Sequence, residues 1–222
     1  MCSITLETGR GDEVMEKVNR VKNIKKQTEN RFLNLYEFEV ERRNGKTAPY
    51  FVASRAAKET DLKAVCGTGA SDGVIIYAVY GENKDKVVLV KQFRYPLNAY
   101  VYEFPAGLVE EGEDMFDAGV REIYEETGLH FVPKKVNAAY AKPFFTTVGM
   151  TDECCGTVYG YCDGVPSNAG QEESEDIEIV LADREECKRI LREENVAIMC
   201  AYMLMHFIHS SQSDPLSFLE EM

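Results

Sequence analysis

The stretch that decides the fold, Gly107–Leu129, reads GLVEEGEDMFDAGVREIYEETGL. From Phe116 onward, side chains that can be buried recur at i, i+4, i+7 and i+11, which is the spacing of one face of an α-helix. Asp114 can cap the start of this helix, and Gly128 can end it. The stretch therefore predicts a single helix with a buried face and defined ends.

The same helix carries a dense group of charges. Glu122 and Glu126 are four residues apart and share one face, Glu125 lies beside them, and Arg121 can pair with one of these glutamates. Like charges packed in this way are unfavourable unless a cation offsets them, and carboxylate oxygens are the preferred ligands of hard divalent cations. We interpret this face as a metal site and expect it to lie nearly opposite the buried face.

A solvated acidic helix face is the ordinary alternative, because most charge runs are of that kind. Two glycines, a further glutamate and a leucine also stand at fixed offsets from these charges, however. Their joint occurrence by chance is improbable, so the metal site is the favoured interpretation.

The segments around this helix predict an α/β (α+β) layer fold. Six strand-like runs are expected, at 74–80, 86–93, 101–104, 137–140, 156–162 and 177–181. A polar loop is expected at 164–176, and two closing helices at 184–193 and 196–210. Strands on both sides of a helical pattern favour a mixed β-sheet sandwiched between helices.

The N-terminal region is expected to form a small β-hairpin. Its β-rich runs are 32–40 and 50–52, with Asn44-Gly45 as the turn signal between them. The predicted domains are an N-terminal extension at 1–63, a main domain at 64–210 and a C-terminal tail at 211–222. Since a two-stranded hairpin is marginal alone, we expect it to pack on a partner.

Composition narrows the function classes. The net charge of -13 argues against binding to nucleic acid or to anionic membranes, although it is compatible with a phosphate-bearing substrate when cations are bound. The first residues lack the pattern of a signal peptide, and no run approaches the ~18 apolar residues of a membrane span. The seven cysteines are scattered and form no CxxC pair. Together these features predict a cytoplasmic protein with reduced thiols.

At this point a resemblance becomes clear. Gly107–Leu129 matches the Nudix box, G-x5-E-x7-R-E-U-x-E-E-x-G-U with U aliphatic, at every defined position. The flanks at 88–96 and 103–107 resemble the ADP-ribose and ADP-sugar pyrophosphatase branch of that superfamily, and the likeness covers about 31–208. The resemblance implies a Nudix fold and a metal-dependent pyrophosphohydrolase. The leading reaction is cleavage of ADP-ribose to AMP and ribose 5-phosphate.

The resemblance also implies roles for particular residues. The implied metal ligands are the Ala106 carbonyl, Glu122, Glu126 and Glu175. The implied catalytic residues are Glu173 as the base on the late polar loop, Glu125 and Arg121. The implied substrate contacts are Arg94, Arg55, Phe32 and Tyr50.

Each assignment outside the box has a structural alternative. The late loop could be a flexible acidic turn, Arg94 a surface salt bridge, and Phe32 and Tyr50 ordinary hairpin packing. The box itself holds no histidine, so a carboxylate or a metal-bound hydroxide must act as the base.

The implied cofactor is Mg²⁺, with Mn²⁺ as a substitute, and the implied partners are a nucleoside diphosphate substrate and a second copy of the chain in a homodimer. One departure weakens the choice of ADP-ribose: Thr147-Val148-Gly149 stands where the branch commonly has S-P-G. The alternatives are a Nudix enzyme for another nucleotide sugar, a dinucleotide or a nucleoside triphosphate, and a non-catalytic Nudix-fold binding protein.

Overall fold

The computed structural model describes residues 19–171 and 176–220. The chain divides into two compact units, Met1–Cys66 and Gly67–Met222. The first unit therefore ends three residues beyond the boundary predicted from the sequence.

The N-terminal unit is built on a three-stranded antiparallel sheet. Its strands, in sheet order, are β1 (Val21–Lys26), β2 (Asn34–Glu41) and β3 (Thr47–Ser54). A 3-10 turn at Glu59–Asp61 and the one-turn helix α1 (Lys63–Cys66) complete the described part of the unit. The expected hairpin corresponds to β2 and β3, and Gly45 takes a positive φ of 77° in the predicted turn.

This unit has a small core of its own. Burial alternates along β2, as expected for a sheet with one covered face, and four side chains form the core: Tyr36, Phe38, Val52 and Leu62. The predicted two-stranded hairpin is therefore part of a three-stranded sheet, because β1 adds a strand that the polar sequence did not reveal.

The second unit is built on a mixed eight-stranded sheet. The path through it runs β11-β5-β4-β10-β8, and the short strands β6, β7 and β9 pair with β5, β4 and β10 outside this path. The strands are β4 (Gly73–Tyr80), β5 (Lys86–Arg94), β6 (Ala99–Glu103), β7 (Ala106–Leu108), β8 (His130–Pro133), β9 (Phe144–Phe145), β10 (Cys154–Asp163) and β11 (Ile177–Asp183). The β10–β4 pair is parallel, and the other pairs are antiparallel.

Helices cover both faces of this sheet. They are α2 (Met115–Thr127), α3 (Ala138–Ala141), α4 (Arg184–Glu193) and α5 (Ile198–His209). Alternate residues of β4 enter two separate cores: Val74 and Ile76 pack with Ile123 of α2, whereas Ile75 and Tyr77 pack with residues of α4 and α5. A central strand buried on both faces reads as a continuous apolar run, as β4 does. The predicted fold class, a mixed sheet sandwiched between helices, is confirmed.

Two local predictions in this unit need correction. The run 137–140 was expected to be a strand, but it contains the start of α3, where Asn137 accepts a hydrogen bond from the Ala139 N–H at 2.9 Å and so caps the helix. The short strands β7, β8 and β9 were not predicted, because two to four residues are too few to show a period.

The end of the chain also differs from the sequence expectation. Leu216 and Leu219 fall in the predicted tail, yet both are buried in the core on the α4 and α5 side of the sheet. Lys134, the residue after β8, forms an ion pair with Glu220 at 2.8 Å. Within the described ranges, no helix is long and apolar enough to cross a membrane.

Candidate active site

Helix α2 begins and ends where the sequence predicts. The Asp114 carboxylate accepts a hydrogen bond from the Phe116 N–H at 2.8 Å, and Gly128 takes a left-handed φ of 67° while its N–H bonds to the Tyr124 carbonyl. Gly119 allows the helix to lie close to the sheet, since a Cβ there would lie 3.3 Å from side-chain atoms of Val158. The caps and this close packing fix the position of the acidic residues.

The predicted separation of acidic and buried faces was wrong. Glu126 is 3% exposed, whereas Val120, expected on the buried face, is 38% exposed. Consecutive residues turn by ~100° around a helix, so Glu126 falls only ~60° from the fully buried Ile123. One carboxylate of the group is thus withdrawn almost completely from water.

Strand β7 lies directly against this part of α2. A Cβ added at Gly107 would lie 1.8 Å from the Glu122 carboxyl carbon, so only glycine leaves room for the carboxylate at this place. A cavity of about 450 Å³ opens here, lined by 106–110 together with Arg121, Glu122 and Glu125. The structure therefore brings Ala106, Glu122 and Glu125 to one cavity, and their roles as metal ligands or catalytic groups stay predictions.

Arg121 is the centre of the charged network in this cavity. Its guanidinium donates to both Glu113 carboxylate oxygens at 2.9 Å, to Glu122 at 2.9 Å and to Glu125 at 3.1 Å. It also donates to the Leu108 carbonyl at 3.1 Å, which ties α2 to β7. These bonds raise the Arg121 pKa further above its ordinary value, with Glu113 as the largest cause. The cation stays charged and holds the glutamates in fixed directions.

Arg94 belongs to the same region, with a partner that the sequence analysis missed. Its guanidinium forms a two-pronged ion pair with Glu103, at 2.9 and 2.6 Å. The pKa of Arg94 is raised, first by this bond and further by the charges of Glu103 and Glu126. Strand register places Glu103 opposite Val90 rather than Arg94, so no strand-pairing rule would have found this pair.

Five of the predicted site residues stay predictions. Glu173 and Glu175 lie outside the described residues. Phe32, Tyr50 and Arg55 belong to the N-terminal unit, and their substrate contacts stay predictions. Phe32 is 66% exposed and stacks under the Arg31 guanidinium, 4.6 Å from the ring centre.

The donors in the cavity suit a hard divalent cation. In the described part of the chain, no three acidic, histidine or cysteine side chains already stand in metal-binding geometry, and Arg121 pairs with Glu122 and Glu125. The donor set is nonetheless all oxygen, with carboxylates of α2 facing the backbone of β7. Ligands of this kind match Mg²⁺ or Mn²⁺ rather than a soft metal.

Fold and site together define a class of protein: an enzyme-like mixed α/β layer fold with a glutamate-rich helix set against a glycine-containing strand. The NUDIX domain family matches residues 70–195, more than half of the chain. This protein therefore belongs to the Nudix family, as the sequence predicted.

Individual relatives narrow the class further. The chain is 30% identical over 150 residues to an ADP-ribose pyrophosphatase of Saccharomyces cerevisiae, covering 66% of this chain and 62% of that protein. It is 57% identical over 42 residues to an ADP-sugar pyrophosphatase of Mus musculus, covering 19% of each chain. The predicted resemblance to the ADP-ribose pyrophosphatase-like branch of the Nudix superfamily is confirmed. The match spans less than two thirds of the length of the yeast protein.

A solved structure supports the fold. The crystal structure of an ADP compounds hydrolase aligns with a TM-score of 0.56 at 17% identity, covering 78% of this chain and 82% of that one. At this identity the likeness concerns the fold alone.

Proposed function

We propose that this protein is a divalent-metal-dependent pyrophosphohydrolase that cleaves ADP-ribose to AMP and ribose 5-phosphate. One observation carries the proposal: the Glu122 carboxylate abuts the Gly107 backbone, beside the nearly buried Glu126 and the Arg121 network. The names of the yeast and mouse relatives support an ADP-linked substrate.

The residues of the proposed site have different roles in binding metal, positioning the glutamates and binding substrate. Glu122, Glu126 and the Ala106 carbonyl would hold Mg²⁺, with Glu175 as a further ligand. When bound, the cation neutralises diphosphate charge and orients the attacking water. Arg121 keeps the glutamates aligned, and Arg94 offers a cation for substrate phosphate beside Glu126. Phe32, Tyr50 and Arg55 are proposed to contact the nucleoside.

The base is proposed to be Glu173. It follows Gln171 by two residues, and a carboxylate that is not needed as a ligand keeps its basicity. Glu173→Gln should lower kcat strongly and leave metal affinity unchanged, whereas Glu175→Gln should weaken metal binding too. Loss of turnover in Glu172→Gln with a silent Glu173→Gln would move the role to Glu172. If both are silent, Glu125 becomes the base.

Product analysis tests the function directly. The purified chain is incubated with ADP-ribose, other nucleotide sugars, dinucleotides and nucleoside triphosphates, each with Mg²⁺ and with a chelator. We expect AMP and ribose 5-phosphate from ADP-ribose in the presence of Mg²⁺ only. Faster cleavage of another nucleotide sugar would favour the second candidate function, a Nudix enzyme for a different substrate. That candidate is considered because Thr147-Val148-Gly149 stands where the branch commonly has S-P-G. Binding of ADP-ribose without cleavage of any substrate would indicate a non-catalytic protein.

The assembly is proposed to be a cytoplasmic homodimer. Exposed apolar side chains on the N-terminal unit, Phe51 among them at 53% exposure, support a partner surface. Sedimentation at micromolar concentration checks this proposal, and a monomer mass would contradict it.

A further inference from the structure

The last turn of α2 carries Glu125 and Glu126, the second of which is a proposed metal ligand, and the carbonyls of this turn need hydrogen-bond donors. The last carbonyls of a helix receive no hydrogen bond from N–H groups of the same helix, so donors from outside the helix must bind them. The Gly128 N–H donates a hydrogen bond to the Tyr124 carbonyl. The carbonyls of Glu125, Glu126 and Thr127 are the next three, and they belong to the turn that carries the buried Glu126.

One segment, 167–171, lies against all three of these carbonyls and donates hydrogen bonds to two of them. The Ser167 N–H donates to the Thr127 carbonyl at 2.9 Å. The Gln171 side-chain amide donates to the Glu126 carbonyl at 2.8 Å. Between them, Gly170 lies so close that an added Cβ would be 2.8 Å from the Glu125 carbonyl oxygen.

Of these contacts, the Gln171 bond is the one made by a side chain. It fixes the peptide that follows Glu126, and a buried carboxylate can be aimed only as accurately as its backbone is held. We propose that Gln171 is a positioning residue that acts through the Glu126 backbone to set the affinity of the site for its divalent cation. This inference rests on the proposed function, because it takes Glu126 as a metal ligand.

The test measures metal binding without substrate. Mn²⁺ alone is titrated into the full chain, and the free ion is followed by electron paramagnetic resonance. Gln171→Met keeps the length of the side chain but removes the donor, so we expect Mn²⁺ affinity to fall roughly five- to tenfold, the scale of a lost bond behind a metal ligand. At saturating Mn²⁺, the KM for ADP-ribose should stay unchanged, because the substrate contacts are intact.

Ser167→Ala is the matched control. Its bond to Thr127 comes from the backbone N–H and survives the substitution, so its Mn²⁺ affinity should stay within about twofold of the unmodified chain. Should Gln171→Met fail to fold, Gln171→Glu replaces the donor with an acceptor at the same position, and its Mn²⁺ affinity should fall in the same way. Melting curves establish that each variant is folded.

The outcomes separate this inference from the function on which it rests. Unchanged Mn²⁺ affinity in Gln171→Met, with binding lost in Glu126→Gln, would overturn the role of Gln171 and leave the metal site standing. Weakened binding in Gln171→Met would support the role even if ADP-ribose proves not to be a substrate. If the unmodified chain binds no Mn²⁺, the positioning role and the metal-dependent function both fall.

Discussion

Helices α2 and α4 carry nearly the same arrangement of charges. Arg121 of α2 forms ion pairs with three carboxylates: Glu113, Glu122 and Glu125. Arg189 of α4 also pairs with three: Glu186, Glu193 and Glu194. In both helices these pairs raise the pKa of the arginine. Charge pattern alone therefore does not distinguish the two sites.

The two helices differ in whether a strand backbone lies against the charged side chains. The ion-pair partners of Arg189 lie on its own helix and at the residue after it, with side chains between 31% and 56% exposed. On α2, Glu122 is 13% exposed and abuts Gly107 of β7, and Glu126 is buried beside it. A strand that brings main-chain oxygen to desolvated carboxylates turns a surface salt-bridge network into a candidate metal site.

The largest expected effect comes from removing one charge on each helix. Glu126→Gln should lower kcat by roughly a thousandfold or more, because an amide is a poor ligand for a hard cation. Glu193→Gln on α4 should leave kcat unchanged, since that carboxylate is 56% exposed and 3.6 Å from Arg189. Steady-state kinetics with Mg²⁺ and melting curves measure both variants. Near-normal turnover of a folded Glu126→Gln chain would contradict the proposal that α2, unlike α4, carries a metal ligand.

The backbone contact is tested by adding one methyl group. Gly107→Ala places a Cβ where the Glu122 carboxylate now lies, and the flexible end of that side chain must move. We expect kcat to fall by about a hundredfold, the scale of a displaced catalytic group, with little change in the melting temperature. Gly69→Ala is the control, since a Cβ there meets nothing within 4 Å. Equal activity of the two variants would show that the contact does not matter.

The two arginines should respond differently to the same substitution. Lysine keeps the charge but loses the planar fork that bonds several carboxylates at once. Arg121→Lys should lower kcat by roughly tenfold or more, because the ligand glutamates lose their alignment. Arg189→Lys should leave kcat unchanged and leave the unfolding free energy nearly unchanged, because exposed ion pairs contribute little. Parallel kinetic and urea-unfolding measurements check both, and a kinetic defect in Arg189→Lys would be evidence against this contrast.

The sequence predicted the ends of α2 because caps and a C-terminal glycine are local signals. It also predicted the grouping of Glu122 and Glu126, since spacing on one helix is a local property. It did not predict that Glu126 is buried, because burial depends on how the helix is rotated against the sheet.

Contacts between distant segments were missed for a similar reason. The Arg94–Glu103 pair and the bond from Gln171 to Glu126 join residues whose closeness is set by packing rather than by any periodic pattern. Strand β7 was missed because three residues carry no period, although Gly107 itself was part of the motif.

The smallest expected effect concerns acid stability, where the two helices should behave alike. Bonds from the Arg121 side chain and from the Glu110 N–H lower the pKa of Glu113 from 4.5 to about 2, and Arg189 lowers the pKa of Glu186. A carboxylate with a lowered pKa in the folded state contributes stability that is present above its unfolded pKa of about 4.5. That contribution is lost as the pH falls toward the folded value, between about 4.5 and 2 for Glu113.

Glu113→Gln should therefore flatten the fall in unfolding free energy across this pH window, and Glu186→Gln should flatten it in a similar way. Urea unfolding at pH 5, 4 and 3 without divalent metal measures both, and a steep fall that persists in Glu113→Gln would show that its pairing does not contribute. At neutral pH only Glu113→Gln should also reduce turnover, because it alone removes a partner of the arginine that aligns the metal ligands. Similar acid behaviour with different kinetics would locate the functional difference in the strand beside α2 rather than in the strength of the ion pairs.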